Sequence, residues 1–181
     1  MFKFTPKLNQ ESRNIIENRE QLKELVNCYG SPLNILFPNV MNKNISNFKE
    51  TLKEHHLSGK IYYAHKCNKS NSFLKQALQN QINVDVASLE ELKSALSNGF
   101  TGDRIEATGP KNDEFIILGI RHNIVFNVDN LEEIKKINYF KEKIQTKNKI
   151  RILLRLNGFK SEETKIINRS SRFGTPKSQV N

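Results

Sequence analysis

The sequence predicts an α/β fold of parallel strand–helix units, and three observations lead there. From Ile61 onward, short apolar runs alternate with amphipathic stretches at roughly 20- to 25-residue spacing, the rhythm of βα units. The helical stretches carry end signals: Ser88-Leu89-Glu90-Glu91 reads as a capping box, and Gly30 and Gly99 follow helical runs as stops. Lys66 stands where the strand Ile61–Ala64 would end, the side of such an array on which barrel enzymes place their chemistry.

Composition narrows the class. A chain of 181 residues with 36% hydrophobic and 27% charged residues is long enough for one domain with a real core. The net charge of +10 raises the question of nucleic acid, but the lysines are interleaved with glutamates, as in Glu132-Glu133-Ile134-Lys135-Lys136, the pattern of solvated helix faces. No nucleic-acid partner is expected. No apolar run is long enough to span a bilayer, and Met1–Gln10 lacks the apolar centre of a secretory signal, so no membrane partner and a cytoplasmic location are expected. Cys28 and Cys67 have neither CxxC nor metal-ligand spacing and read as free thiols, with no metal.

In chain order, residues 1–17 read as a loose arm or short helix. Arg19–Tyr29 places Leu22, Leu25 and Val26 on one helical face. Leu33–Phe37 reads as a strand ended by Pro38, so residues 1–38 form an arm with a helix and a strand, and residues 39–181 the α/β part. Asn39–Leu57 is helical through Val40, Ile45, Phe48 and Leu52. Then follow strand Ile61–Ala64, helix Ser72–Gln79, strand Ile82–Val86, helix Ser88–Asn98, strand Arg104–Ala107, helix Asp113–Arg121, strand Ile124–Asn127, helix Leu131–Tyr139 and one strand over Lys149–Asn157. The tail from Gly158 is polar. About five strands in this pattern compare with the roughly 250 residues of a closed eight-unit barrel. The expected architecture is a partial, apparently truncated (β/α)8 TIM barrel or an open sheet.

Taken alone, Lys66 has two readings: an amine kept partly neutral by burial and able to attack an aldehyde, or a solvated cap on a strand end. The second is the commoner for a single lysine.

The segments around it add a resemblance. Tyr63-Ala64-His65-Lys66-Cys67-Asn68 resembles the Tyr-Ala-x-Lys-Ala/Cys-Asn segment of the fold-type III pyridoxal-phosphate decarboxylases, the diaminopimelate, ornithine and arginine decarboxylases of the alanine-racemase-like barrel. In order along the chain, Asp85-Val86-Ala87-Ser88-Leu89-Glu90-Glu91, Ala107-Thr108-Gly109-Pro110-Lys111, Phe126–Ile134, Leu153-Leu154-Arg155-Leu156-Asn157 and Ser171-Arg172-Phe173-Gly174 resemble successive segments of that family. The resemblance covers about residues 30–176.

It implies a pyridoxal 5'-phosphate cofactor and an amino-acid substrate. Lys66 is then the Schiff-base lysine, Asp85 and Glu91 are acids near the cofactor, and Arg155 and Arg172 are basic groups on the same face, with Arg172 close to the cofactor's phenolic oxygen. Glu91 is also explained by its capping box, Asp85 by a turn, and Arg155 by snorkelling. His65, on the strand face opposite Lys66, reads as packing. The family's glycine-rich phosphate turn, its ring-stacking histidine and its C-terminal β-domain, shared across a homodimer, have no counterpart in these residues. The expectation is therefore a decarboxylase portion inactive by itself. A racemase on the same barrel and a non-catalytic cofactor-binding remnant are the alternatives.

Overall fold

Five parallel strands hydrogen-bond in the order in which they occur. The computed structural model describes residues 8–157 and 173–180. Helices α1 (Gln10–Glu17), α2 (Arg19–Tyr29) and α3 (Pro38–Glu54) precede the sheet. Strand β1 (Tyr62–Ala64), helix α4 (Asn71–Gln79), β2 (Asn83–Val86), α5 (Leu89–Ser97), β3 (Ile105–Ala107), α6 (Asp113–Arg121), β4 (Val125–Val128), α7 (Leu131–Ile144) and β5 (Arg151–Leu154) then alternate strictly. The order β1-β2-β3-β4-β5 winds in one direction, as in a barrel wall.

The N-terminal arm departs from the expected pattern. Residues 33–37 form no strand: they run without ladder partners into α3, and Pro38 opens that helix at its first position rather than closing a strand. Lys149–Asn157 is also not one strand. It divides at Arg155 into β5 and β6 (Leu156–Asn157), and β6 pairs in parallel with β7 (Thr175–Pro176). Arg155 bridges the two ladders, its amide donating to Val128 O and its carbonyl accepting from the Thr175 amide.

Register assigns each strand residue to a face. Ala64, Asp85 and Glu106 stand side by side on β1, β2 and β3, and Val86 stands beside Ala107. Side chains alternate along a strand, so Val84, Val86, Ile105, Ala107, Phe126 and Val128 all face the helices. All six are fully buried. With Leu74, Ala77, Leu92, Phe115, Ile116, Ile120 and Ile137 from the helices they form the core. Each large side chain buried there contributes about 1.5–3 kcal/mol. The inner face carries Asp85, Glu106 and Asn127 instead, and the Asn127 amide donates to Glu106 Oε1 at 2.8 Å.

The structure exposes an internal repetition that the linear reading passed over. The run from β1 into α5 and the run from β3 into α7 correspond at a constant offset. Ser70 and Asn112 cap α4 and α6, and Ser88 and Asn130 cap α5 and α7. Gln81 and Asn123 take the same left-handed conformation after their helices, at φ 56° and 53°. Buried Ala77 and Val84 in the first run are matched by Gly119 and Phe126 in the second. A Cβ on Gly119 would lie 2.6 Å from Phe126 Cζ, so the larger ring and the missing methyl complement one another.

Candidate active site

Lys66 lies in a single 3-10 turn, His65–Cys67, directly after β1. Its side chain is exposed at the carboxyl end of the sheet, not buried as the first sequence reading supposed. The burial falls on its neighbours. His65 is fully buried on the helix-facing side, as strand alternation requires, and its Nδ1 has no hydrogen-bond partner. Burial pushes its imidazole below the usual histidine range, opposed by Glu91.

The turn carrying Lys66 is braced from behind. The Tyr63 hydroxyl donates to the Asn68 carbonyl at 2.7 Å, and burial, with Cys67 and Glu91 adding to it, pushes that hydroxyl up to about 12. Asn68 Oδ1 accepts from the Ser70 amide at 3.0 Å, and Ser70 caps α4.

Glu91 belongs to this brace. It is buried, its Oε2 accepts from the Ala87 amide at 2.9 Å and its Oε1 pairs with Lys69 at 3.3 Å, while its own amide is capped by Ser88 Oγ. Ser88 caps the helix as the sequence reads, but the Glu91 carboxylate reaches one residue further back than a capping box does, to the Ala87 amide, and both its oxygens have partners.

Asp85 is placed differently. It stands on the inner face at the end of β2, and its buried Oδ1 has no hydrogen-bond partner. Burial pushes its carboxyl up. The Thr108 hydroxyl, the Lys66 ammonium and, more weakly, Lys111 pull it down, while Glu91 pushes it up. Lys66 follows β1 and Asp85 lies on the neighbouring β2, so both stand at the same end of the sheet.

Arg155 occupies the far side of the described mouth, with its guanidinium 4.7 Å over the Phe173 ring and 3.6 Å from Asp129 Oδ1. Gly174 holds this corner at φ 86°, with space for a Cβ denied by the Arg155 carbonyl at 2.9 Å. Arg172 lies outside the described residues.

Sequence reasoning missed two groups. Lys111 is buried, and its Nζ donates to Gly109 O, Asn127 O and Glu133 Oε1 at 2.9, 2.8 and 3.1 Å. Burial pushes the ammonium down and Glu133 holds it up. Thr108, one residue past β3, buries a hydroxyl with no hydrogen-bond partner. The available signal was the repetition: Lys111 stands before Glu133 as Lys69 stands before Glu91.

An apolar groove lies elsewhere. Its ≈ 570 Å³ lie between α3 and β1, lined by Phe37, Met41, Phe48, Tyr62 and Phe73 among others, and it includes Cys67 but neither Lys66 nor Asp85. No helix among the described residues is long and apolar enough to cross a membrane.

The family profile described as pyridoxal-dependent decarboxylase, pyridoxal binding domain, matches residues 39–181. The chain belongs to that family. The cofactor of these pyridoxal-binding domains is pyridoxal phosphate, and the five-stranded parallel array is the N-terminal part of their barrel. An uncharacterised protein of Sinorhizobium fredii is 38% identical over 110 residues, 60% of this chain and 24% of its own length. The diaminopimelate decarboxylase of Bacillus subtilis is 28% identical over 134 residues, 73% of this chain and 30% of the relative. Among solved structures, diaminopimelate decarboxylase from M. jannaschii in co-complex with L-lysine superposes with a TM-score of 0.68 at 26% identity, covering 87% of this chain and 38% of that one. The chain thus spans less than two fifths of the length of each of these relatives.

The chemistry of the residues at the carboxyl ends of β1, β2 and β3 fits one end of that cofactor: an exposed amine after β1, an inward carboxylate with an unpartnered oxygen on β2 and an unpartnered hydroxyl after β3 suit an aldehyde-bearing, partly cationic ring.

Proposed function

We propose that this chain is the cofactor-holding portion of an amino-acid decarboxylase of the diaminopimelate, ornithine or arginine type, with Lys66 as the amine that holds pyridoxal phosphate covalently. The observation that carries the reading is the exposed Lys66 amine on a braced turn directly after β1, at the end of the sheet where Asp85 faces inward on β2. When bound, pyridoxal phosphate supplies an electron-withdrawing ring conjugated to the substrate's α-carbon.

The chain's own residues do the rest. Lys66 Nζ would hold the cofactor, and as a free amine it can hold or move a proton at that face. Asp85 keeps positive charge in place near the ring. Glu91, bonded at both oxygens, acts from behind by fixing the turn. Arg155 provides positive charge at the far rim, and Arg172, outside the described residues, is a second basic group on the strength of the resemblance alone. The L-lysine bound by the M. jannaschii relative supports a substrate that is an α-amino acid with a second basic group. A second copy of the same protein as partner and a cytoplasmic setting belong to the same reading.

The test is optical. Adding pyridoxal phosphate to the protein gives an absorbance band at the edge of the visible that Lys66→Ala removes and Lys69→Ala leaves. A band that survives in Lys66→Ala refutes the assignment. The isolated chain is expected to turn over none of lysine, ornithine, arginine or diaminopimelate, and measured turnover contradicts that part.

A further inference from the structure

Asp129 stands one residue beyond β4 and is tied down through its amide, its carbonyl and its side chain. The amide donates to Glu133 Oε2 at 3.1 Å, the carbonyl accepts from the Thr175 hydroxyl at 3.1 Å, and Oδ1 lies 3.6 Å from Arg155 Nη1. The two backbone anchors are themselves fixed. Thr175 is 2% exposed, and Glu133 Oε1 pairs with the buried Lys111 ammonium.

The internal repetition shows that the carboxylate is not there for the backbone. In the first run Ala87 takes the place of Asp129, and its amide makes the same bond to Glu91 Oε2 at 2.9 Å. The strand-to-helix corner therefore closes with a methyl alone. What Asp129 adds is a charge, and that charge meets Arg155. Val128 and Leu154 are register partners on the helix-facing side, so by alternation Asp129 and Arg155 both turn to the inner face. The Arg155 backbone is held by Val128 O and the Thr175 amide, and its guanidinium lies over the Phe173 ring. A long side chain kept between a carboxylate and a ring face has lost rotamer freedom in advance, which favours binding through preorganisation.

We propose that Asp129 is a positioning residue: its carboxylate, together with the Phe173 ring, sets the Arg155 guanidinium at the far rim to receive an anionic group of the cofactor. This deepens the reading of the mouth as a cofactor site and rests on it. Positioning and simple charge balance predict opposite signs. Removing a carboxylate beside an arginine strengthens the arginine's pull on an anion, whereas releasing the guanidinium weakens binding.

The experiment compares wild type with Asp129→Asn, which keeps both backbone bonds and removes only the charge, with Asp129→Glu, which restores the charge, and with Arg155→Met. In the protein alone, the NMR order parameter of the Arg155 Nε–Hε bond is expected to fall in Asp129→Asn and to recover in part in Asp129→Glu, while the Arg155 backbone amide is unchanged. The affinity for pyridoxal phosphate, read from the absorbance band at the edge of the visible, is expected to weaken about two- to fivefold in Asp129→Asn, the range of a part-exposed ion pair. Asp129→Asn should add no further loss to Arg155→Met, because the two act as one unit. An unchanged Arg155 side-chain order parameter, or tighter binding in Asp129→Asn, overturns the proposal. Failure of the underlying reading looks different: the Arg155 side chain loosens as stated, yet Arg155→Met leaves the affinity for pyridoxal phosphate unchanged, and the anion that Arg155 receives is then not the cofactor's.

Discussion

The run from β1 into α5 and the run from β3 into α7 share their caps, their left-handed helix exits and a lysine–glutamate pair at the same separation, 22 residues in the second case. They differ in what they do with charge. In the second run Lys111 is buried with three oxygen partners and takes no part at the surface. In the first the corresponding Lys69 is two-thirds exposed, at 66%, with one partner. The first run also places an exposed amine, Lys66, where the second has Thr108, and a carboxylate, Asp85, where the second has Asn127. One scaffold is thus used once as a locked joint and once as an open mouth. The proposed chemistry falls in the run whose lysines are left exposed.

Exchanging the features of the two runs tests this contrast. The largest effect is expected at the lysines. Lys111→Met leaves Glu133 and two carbonyls without their buried cation and should cost about 3–5 kcal/mol, whereas Lys69→Met should cost under about 1 kcal/mol. Urea unfolding of the two variants reads the difference, and equal losses would mean that the two pairs are equivalent.

Next comes packing. Gly119→Ala drives a methyl into the Phe126 and Ile124 side chains and should cost about 1–3 kcal/mol. Adding Phe126→Val, which recreates the Ala77–Val84 combination of the first run, should lower the added cost of the methyl. Additive losses in the double variant would show that the two positions do not share one space.

The smallest effect concerns Asp85, and its sign is set by pH. Burial raises its carboxyl in the folded protein, so the folded state holds that proton more tightly than the unfolded chain does. Its contribution to stability is complete below the unfolded aspartate range and is lost as pH rises through the folded midpoint. Asp85→Asn, which copies Asn127, should therefore stabilise the fold at pH 7 relative to wild type, with the gain vanishing in acid. A variant less stable than wild type at pH 7 would mean that Asp85 is a structural anchor.

Legibility in the sequence followed the range of the interactions. Helices α2 and α6 have the boundaries read from the sequence, because caps and 3.6-residue patterning are local. Residues 33–37 misled because a short apolar run needs a neighbouring strand to become one, and composition carries no information about neighbours. Lys66 gained meaning only from an ordered series of segments, and its exposure could not be read from the strand residues before it. Thr108 and Lys111 were silent for a related reason: one depends on the β2–β3 register, the other on three acceptors brought together by two turns and a helix start.

The central claim is that Lys66 is the amine through which this pyridoxal-binding domain holds its cofactor. Borohydride reduction of the protein with one equivalent of pyridoxal phosphate, followed by peptide mapping, tests it most directly. Label concentrated on the peptide carrying Lys66, and no such concentration in Lys66→Ala, is the predicted result. Label spread over exposed lysines such as Lys69, Lys93 and Lys135 in the wild-type protein would contradict it.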